Sequence, residues 1–230
     1  FLGNTTALTV GTLGSTQGLT SNSTIDLYTT QGDLTLNNNV TTTNASSGAM
    51  KLTAGKSAAV GDTTSGNLVL NGGTVSVGAG GRAMLYTGAV NNNALTSLVG
   101  SGSGHFRYGS TSTVTNYTNL ILTGGLYAIY RERPTVSWSS SSDQTIVYGS
   151  SPVPPVAGTL AGFVNGDQAD PVMALVVAST NAPAALNRAG GYYNAGNYVY
   201  SRTVLAQTLG YLASNPRLTI TAATLNVTRS

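Results

Sequence analysis

Short stretches in which apolar and polar residues alternate recur along the first half of this chain, and they restrict its fold more than any other feature. Asp33-Leu34-Thr35-Leu36, Ala49-Met50-Lys51-Leu52 and Asn67-Leu68-Val69-Leu70 each carry a two-residue apolar period, and their starts lie 16 and 18 positions apart. Alternation of this kind marks a strand with one face buried. Further short strands are expected at Val75–Val77, Met84–Tyr86, Leu120–Leu122 and Leu126–Tyr130. Such short strands at near-regular spacing predict stacked coils, each too small to bury its own apolar face and each completed by its neighbour. Gly72-Gly73, Gly80-Gly81 and the runs Asn37–Asn39 and Asn91–Asn93 supply the sharp turns. An antiparallel sandwich uses short strands and turn residues too, but the near-regular period favours the coils. About seven coils at the ~4.8 Å strand spacing predict a rod on the order of 30 Å long.

Composition points the same way. Only 7% of the 230 residues are charged, against roughly 25% in ordinary soluble proteins. Thr, Ser, Asn and Gly take the polar positions, which disfavours helix and favours strands and turns. With 40% hydrophobic residues the chain has the material for a core and is not composed like a disordered segment. The net charge of +3 comes from ten basic and seven acidic residues; the arginines are scattered singly, with one pair, Arg131 and Arg133, flanking Glu132. They read as solvated surface charge, and without a basic stripe a nucleic-acid partner is not expected. The absence of cysteine excludes disulfides, thiolate metal sites and a Cys nucleophile. No apolar run approaches 18 residues, so no membrane-spanning helix is expected. A start at Phe1, without Met or a leader, reads as a chain processed or excised from something longer.

The second half is written differently. Glycine thins out, the prolines lie from Pro134 onward, and the strands lengthen at Thr145–Tyr148, Val172–Ala178, Tyr198–Leu205 and Leu218–Thr221. Pro152, Pro154 and Pro155 mark an edge or a connection. Residues 134–221 therefore read as a small β-sandwich. Pro134-Thr135-Val136-Ser137-Trp138 is echoed 89 positions later by Ala223-Thr224-Leu225-Asn226-Val227. Residues 222–230 are accordingly expected to open a following repeat or to form an assembly strand.

Little here reads as chemistry. His105 is the single histidine and sits in an alternating stretch, Gly104–Tyr108, so a strand residue is the expectation. Asp26 and Asp33 could share a surface as a carboxylate pair, as could Asp167 and Asp170; Asp167 follows Asn165-Gly166 like a turn residue and Asp170 precedes Pro171. Loop Asp and Asn could ligate calcium, but no Gly-Gly-x-Gly-x-Asp nonapeptide or EF-hand loop occurs. Neither a metal nor a cofactor is expected, and no catalytic residue is assigned. Exposed aromatics are the remaining candidates, with Tyr192 and Tyr193 foremost, because neighbours on a strand point to opposite faces and one of the two must be accessible. Two function classes follow: a structural and adhesive segment, and a polysaccharide-binding or polysaccharide-active protein.

Gly66–Gly78, Arg82–Gly88 and Leu126–Glu132 make residues 1–133 resemble the haemagglutinin-repeat β-helix of filamentous, two-partner-secreted bacterial adhesins. Ile146–Gly149, Gly162–Asp167, Ala189–Tyr192, Asn197-Tyr198 and Leu218–Thr221 make the second half similar to the MBG/YDG-type sandwich found downstream in such exoproteins. The stretch from Tyr200 to Asn215 departs from the usual Gly/Asn-rich pattern, and no secretion domain is recognisable. The resemblance implies an all-β chain, a right-handed parallel β-helix followed by an Ig-like sandwich. It also implies secretion to the bacterial surface and adhesion, biofilm-matrix or fibre roles. With one histidine and no carboxylate cluster no enzymatic activity is expected, and the partners expected are neighbouring domains, further copies stacked head to tail on open ends, or host and matrix glycans.

Overall fold

The computed structural model describes residues 2–118, 120–135, 137–140, 144–147, 158–167, 174–179, 196–205, 209–210, 220–221 and 223–228. They are all-β apart from one short helix. The chain divides into two compact units. The first comprises Phe1–Pro134 with Phe163–Asp170 and Gln207–Ala213; the second comprises Thr135–Gly162, Pro171–Ala206 and Ser214–Ser230.

In the first unit the chain passes three times through the same three sheets. The first pass lays down β1 (Leu2–Asn4), β2 (Leu8–Val10), a small hairpin of β3 (Thr12–Leu13) and β4 (Thr16–Gln17), and β5 (Leu19–Ser21). The second lays down β6 (Ile25–Thr29), β7 (Leu34–Leu36) and β8 (Val40–Thr42), and the third β9 (Met50–Thr53), β10 (Leu68–Leu70) and β11 (Val75–Ser76). Each strand pairs in parallel with its counterpart in the next pass. Leu8, Leu34 and Leu68 stand side by side, as do Leu19, Val40 and Val75. The inward apolar positions thus form ladders, and Leu34, Leu36, Val40, Leu52 and Leu68 are fully buried. Each such leucine contributes roughly 1.5–3 kcal/mol by leaving water.

Only one sheet continues past the third pass. β12 (Arg82–Thr87) pairs with β9; then comes α1 (Asn93–Val99), followed by β13 (Phe106–Arg107) and β14 (Gly125–Tyr130). The order in this six-stranded sheet is β1-β6-β9-β12-β14-β13, so the later strand β14 lies between β12 and β13. Beyond β13 the Tyr108 amide donates to the Leu209 carbonyl at 2.8 Å, which brings Leu209 and Gly210 to this end of the unit.

The described residues of the second unit form two sheets. β15 (Ser137–Ser140) runs antiparallel to β17 (Gly158–Ala161) and parallel to β20 (Ile220–Thr221). A four-stranded sheet has the order β16 (Gln144–Val147), β21 (Ala223–Thr228), β19 (Gly196–Leu205), β18 (Ala174–Ser179). The stretch expected to open a following repeat, 222–230, thus supplies β21, which is paired on both sides within this sheet.

Several local expectations are corrected. The three alternating stretches spaced by 16 and 18 positions are not successive coils. β7 and β10 share one sheet while β9 belongs to another, and side chains of the second and third passes meet at separations of 34 and 35 positions. The spacing in the sequence measures half a pass. Leu120–Leu122 forms no strand; Leu120 and Leu122 are exposed, and the Ile121 carbonyl accepts from Arg82 Nη1 at 2.7 Å. The Asn91–Asn93 run does not make a plain turn. Asn92 caps α1, accepting from the Leu95 amide and donating to the Leu68 carbonyl, while Leu95 and Val99 bury the helix face.

Candidate functional site

The outer face of the six-stranded sheet carries a concentration of aromatic and cationic side chains. Alternation places Ile25, Leu27, Met50, Leu52, Ala83, Leu85 and Ala128 inward, all buried. The residues between them form two outward rows. Parallel register aligns Asp26, Lys51, Met84 and Tyr127 in one row, and Tyr28, Thr53, Tyr86, Ile129 and Arg107 in the other.

Toward β13 and β14 this face is covered. The His105 ring stacks on Tyr127 with centroids 4.2 Å apart, and its Nδ1 lies 3.2 Å from the Leu126 carbonyl. Arg107 is buried, donates to the Gly104 and Phe106 carbonyls, and lies 5.6 Å and 5.9 Å from the ring centroids of Tyr117 and Tyr127. Burial lowers its pKa and the neighbouring tyrosines oppose that.

Toward β6, β9 and β12 the face is accessible. Tyr28, Lys51, Met84 and Tyr86 are partly exposed, and Lys56 is exposed just beyond β9. The Lys56 ammonium lies 4.1 Å from the Tyr28 ring centroid, and the Lys51 ammonium 5.7 Å from that of Tyr86. Cations hold such positions against the electron-rich ring face, and long lysine stems lie flat on the sheet while their heads reach water. Burial pushes the Tyr86 hydroxyl up to about 12, with Tyr117 adding to the rise and Arg82 opposing it. Thr53 stands between the two tyrosines, buried, with its hydroxyl in no hydrogen bond.

The residues singled out from sequence fall elsewhere. Tyr192 and Tyr193 lie outside the described residues, as does Asp170. Asp26 stands on the outer face beside Lys51. Asp33 accepts the Asn67 amide of the next pass at 2.8 Å. Asp167 accepts the Tyr108 hydroxyl at 2.7 Å; Asn165 donates to that hydroxyl at 3.0 Å and accepts from Thr96 at 2.6 Å. This chain of hydrogen bonds fastens Asn165–Asp167 to α1 and to the end of β13. Asp62 accepts from Thr64 and Ser65, bonds that hold its carboxyl well below the usual range. Among the described residues no group of three or more His, Cys, Asp or Glu could hold a metal ion, and no helix is long and apolar enough to cross a membrane.

The reading of the basic residues as solvated surface charge is corrected at two positions, Arg107 and Arg131, which are 3% and 2% exposed. Tyr28, Lys51, Lys56 and Tyr86 were not singled out from sequence. Their signal is present: Ile25–Tyr28, Met50–Thr53 and Ala83–Tyr86 align in the same alternation, and the chain's two lysines fall in or beside it. What the sequence does not show is that these stretches are neighbours in space. The chain matches no protein-family model, no curated protein and no solved structure.

Proposed function

We propose that this chain is a structural and adhesive segment of a secreted bacterial surface exoprotein, of the haemagglutinin-repeat kind. In this reading residues 1–133 are a right-handed parallel β-helix and residues 134–221 an Ig-like, MBG-type sandwich. The observation that carries it is the repeated parallel pairing of equivalent strands in successive passes through the same three sheets. An architecture of this kind grows by adding passes, about 4.8 Å at a time, and so supplies reach and stiffness from short strands. Its job is presentation in an adhesive stalk, a biofilm matrix or an extracellular fibre. At the other end of each sheet, β1, β2 and β5 are terminal strands. Their outer edges would be continued by neighbouring domains of the same exoprotein or by further copies.

A polysaccharide-binding role is favoured by one separate observation, the tyrosine–lysine face on β6, β9 and β12. The two readings are compatible, since an adhesive stalk needs a surface that grips.

Small-angle scattering and negative-stain microscopy of the purified chain test the stalk. An elongated particle, retained on bacterial or host cells when added to them, is the expected result. A compact scattering profile, or turnover of a glycan that is abolished by Asp26→Asn or Asp33→Asn, would overturn it.

A further inference from the structure

We propose that the outer face of the six-stranded sheet between β6 and β12 binds a carboxylated polysaccharide, a polymer of uronate-bearing sugars. The assignment rests on the adhesive part of the proposed function and not on elongation.

Both lysines of the chain lie on this face, each with its ammonium group over a tyrosine ring: Lys56 over Tyr28 and Lys51 over Tyr86. The rings hold the two charges in place before any ligand arrives, which lowers the ordering cost of binding. The Tyr28 ring has a glycine beneath it. It lies across Gly3, its register partner on β1, where any Cβ would collide with the ring. Tyr28 and Tyr86 are two strands apart, so the spacing between them is about 9.6 Å at the strand repeat. That is the spacing of alternate sugar rings in an extended chain of six-membered rings. A polymer crossing the strands at right angles would meet a tyrosine ring, with an ammonium group against it, at every second residue.

Charge selects the class of polymer. A neutral glycan would have to displace the ammonium groups from the ring faces, whereas a carboxylate pairs with them where they are. The cations are sparse, and Asp26 beside Lys51 thins the positive charge further. Duplex nucleic acid, with a charge every ~1.7 Å of axis, calls for a denser basic stripe. One carboxylate per one or two sugar rings fits the spacing on the sheet.

Affinity electrophoresis of the full chain, followed by calorimetry, tests this with polygalacturonate as the probe and dextran, heparin and duplex DNA in parallel. Polygalacturonate is expected to retard the chain and dextran is not. Replacing both lysines (K51Q/K56Q) should weaken binding about tenfold and remove most of its salt dependence. The pair K51R/K56R keeps both charges and should bind like the parent chain, which decides the matter if the glutamine pair alters the melting temperature. The proposal is overturned by absence of binding to polygalacturonate, by equal retardation in dextran, by undiminished binding of K51Q/K56Q, or by tighter binding of heparin or DNA at the same salt. Neither lysine pair should change the scattering profile, so failure here is distinguishable from failure of the stalk.

Discussion

At the scale of single residues, two side chains show how far burial departs from what their type suggests. Arg131 places its guanidinium among main-chain carbonyls, donating from Nε to Asp62 at 2.9 Å, from Nη1 to Ala54 at 2.5 Å and from Nη2 to Gly66. Burial lowers its pKa and the Asp62 charge opposes the shift, but a guanidinium starts so high that it stays cationic. Arg131→Leu would leave those carbonyls without a donor and should cost about 3–5 kcal/mol, read as a lower midpoint in urea unfolding. Arg131→Lys should recover only part of that, because an ammonium cannot reproduce the planar fork. An arginine next to Glu132 in a low-charge sequence reads as surface; only the carbonyls that surround it reveal otherwise. Tyr86 is the second case. Its hydroxyl ionises at about 12 in the folded chain against 10.0 for an ordinary tyrosine. Because the folded value is the raised one, its contribution is complete below pH 10.0 and is lost as pH rises toward about 12. Unfolding midpoints should therefore fall across that interval and fall less in Tyr86→Phe.

At the scale of elements, strand existence is legible and strand partnership is not. β7, β9, β10, β11 and β12 all lie on or overlap stretches expected as strands from their alternation, since inside and outside must alternate along any half-buried strand. The period is misread because the corners differ in length, so that similar stretches half a pass apart look like consecutive coils. Leu120–Leu122 has the alternation and no strand, so alternation alone does not make one. α1 goes unread although Asn92 followed by Leu95, Leu98 and Val99 is a cap with a helical apolar period, because a composition hostile to helices outweighs a seven-residue signal. Corners hold the passes together. Gly66 has φ +133°, and a Cβ there would press on the Gly32 carbonyl and lie 2.7 Å from the Gly55 amide nitrogen. Gly66→Ala should accordingly destabilise the chain by about 2–4 kcal/mol, through backbone strain and a collision that no side-chain movement relieves. Chemical denaturation checks this, with Gly14→Ala, where a Cβ meets nothing within 4 Å, as a reference for positive-φ strain alone.

Across the first unit as a whole, stability should be graded. β9 and β12 are paired on both sides and their inward residues are fully buried, while β1, β2 and β5 end their sheets and hold no buried residue. Hydrogen exchange should be slowest in β9 and β12 and fastest in β1, β2 and β5, because terminal strands open without disturbing the rest. Strong protection of β1, β2 and β5 in the isolated chain would instead mean that another copy covers that edge. By itself the sequence determined the β class, the inward and outward alternation of each strand and the change of grammar near Pro134, because these follow from local patterning and composition. Only the tertiary structure decided which stretches are neighbours, that β14 slips between β12 and β13, that β21 is an inner strand, and that two lysines and two tyrosines share one face. Those outcomes depend on contacts between residues from 22 to 81 positions apart, and pairing at that range is set by how whole elements pack, which no local pattern encodes.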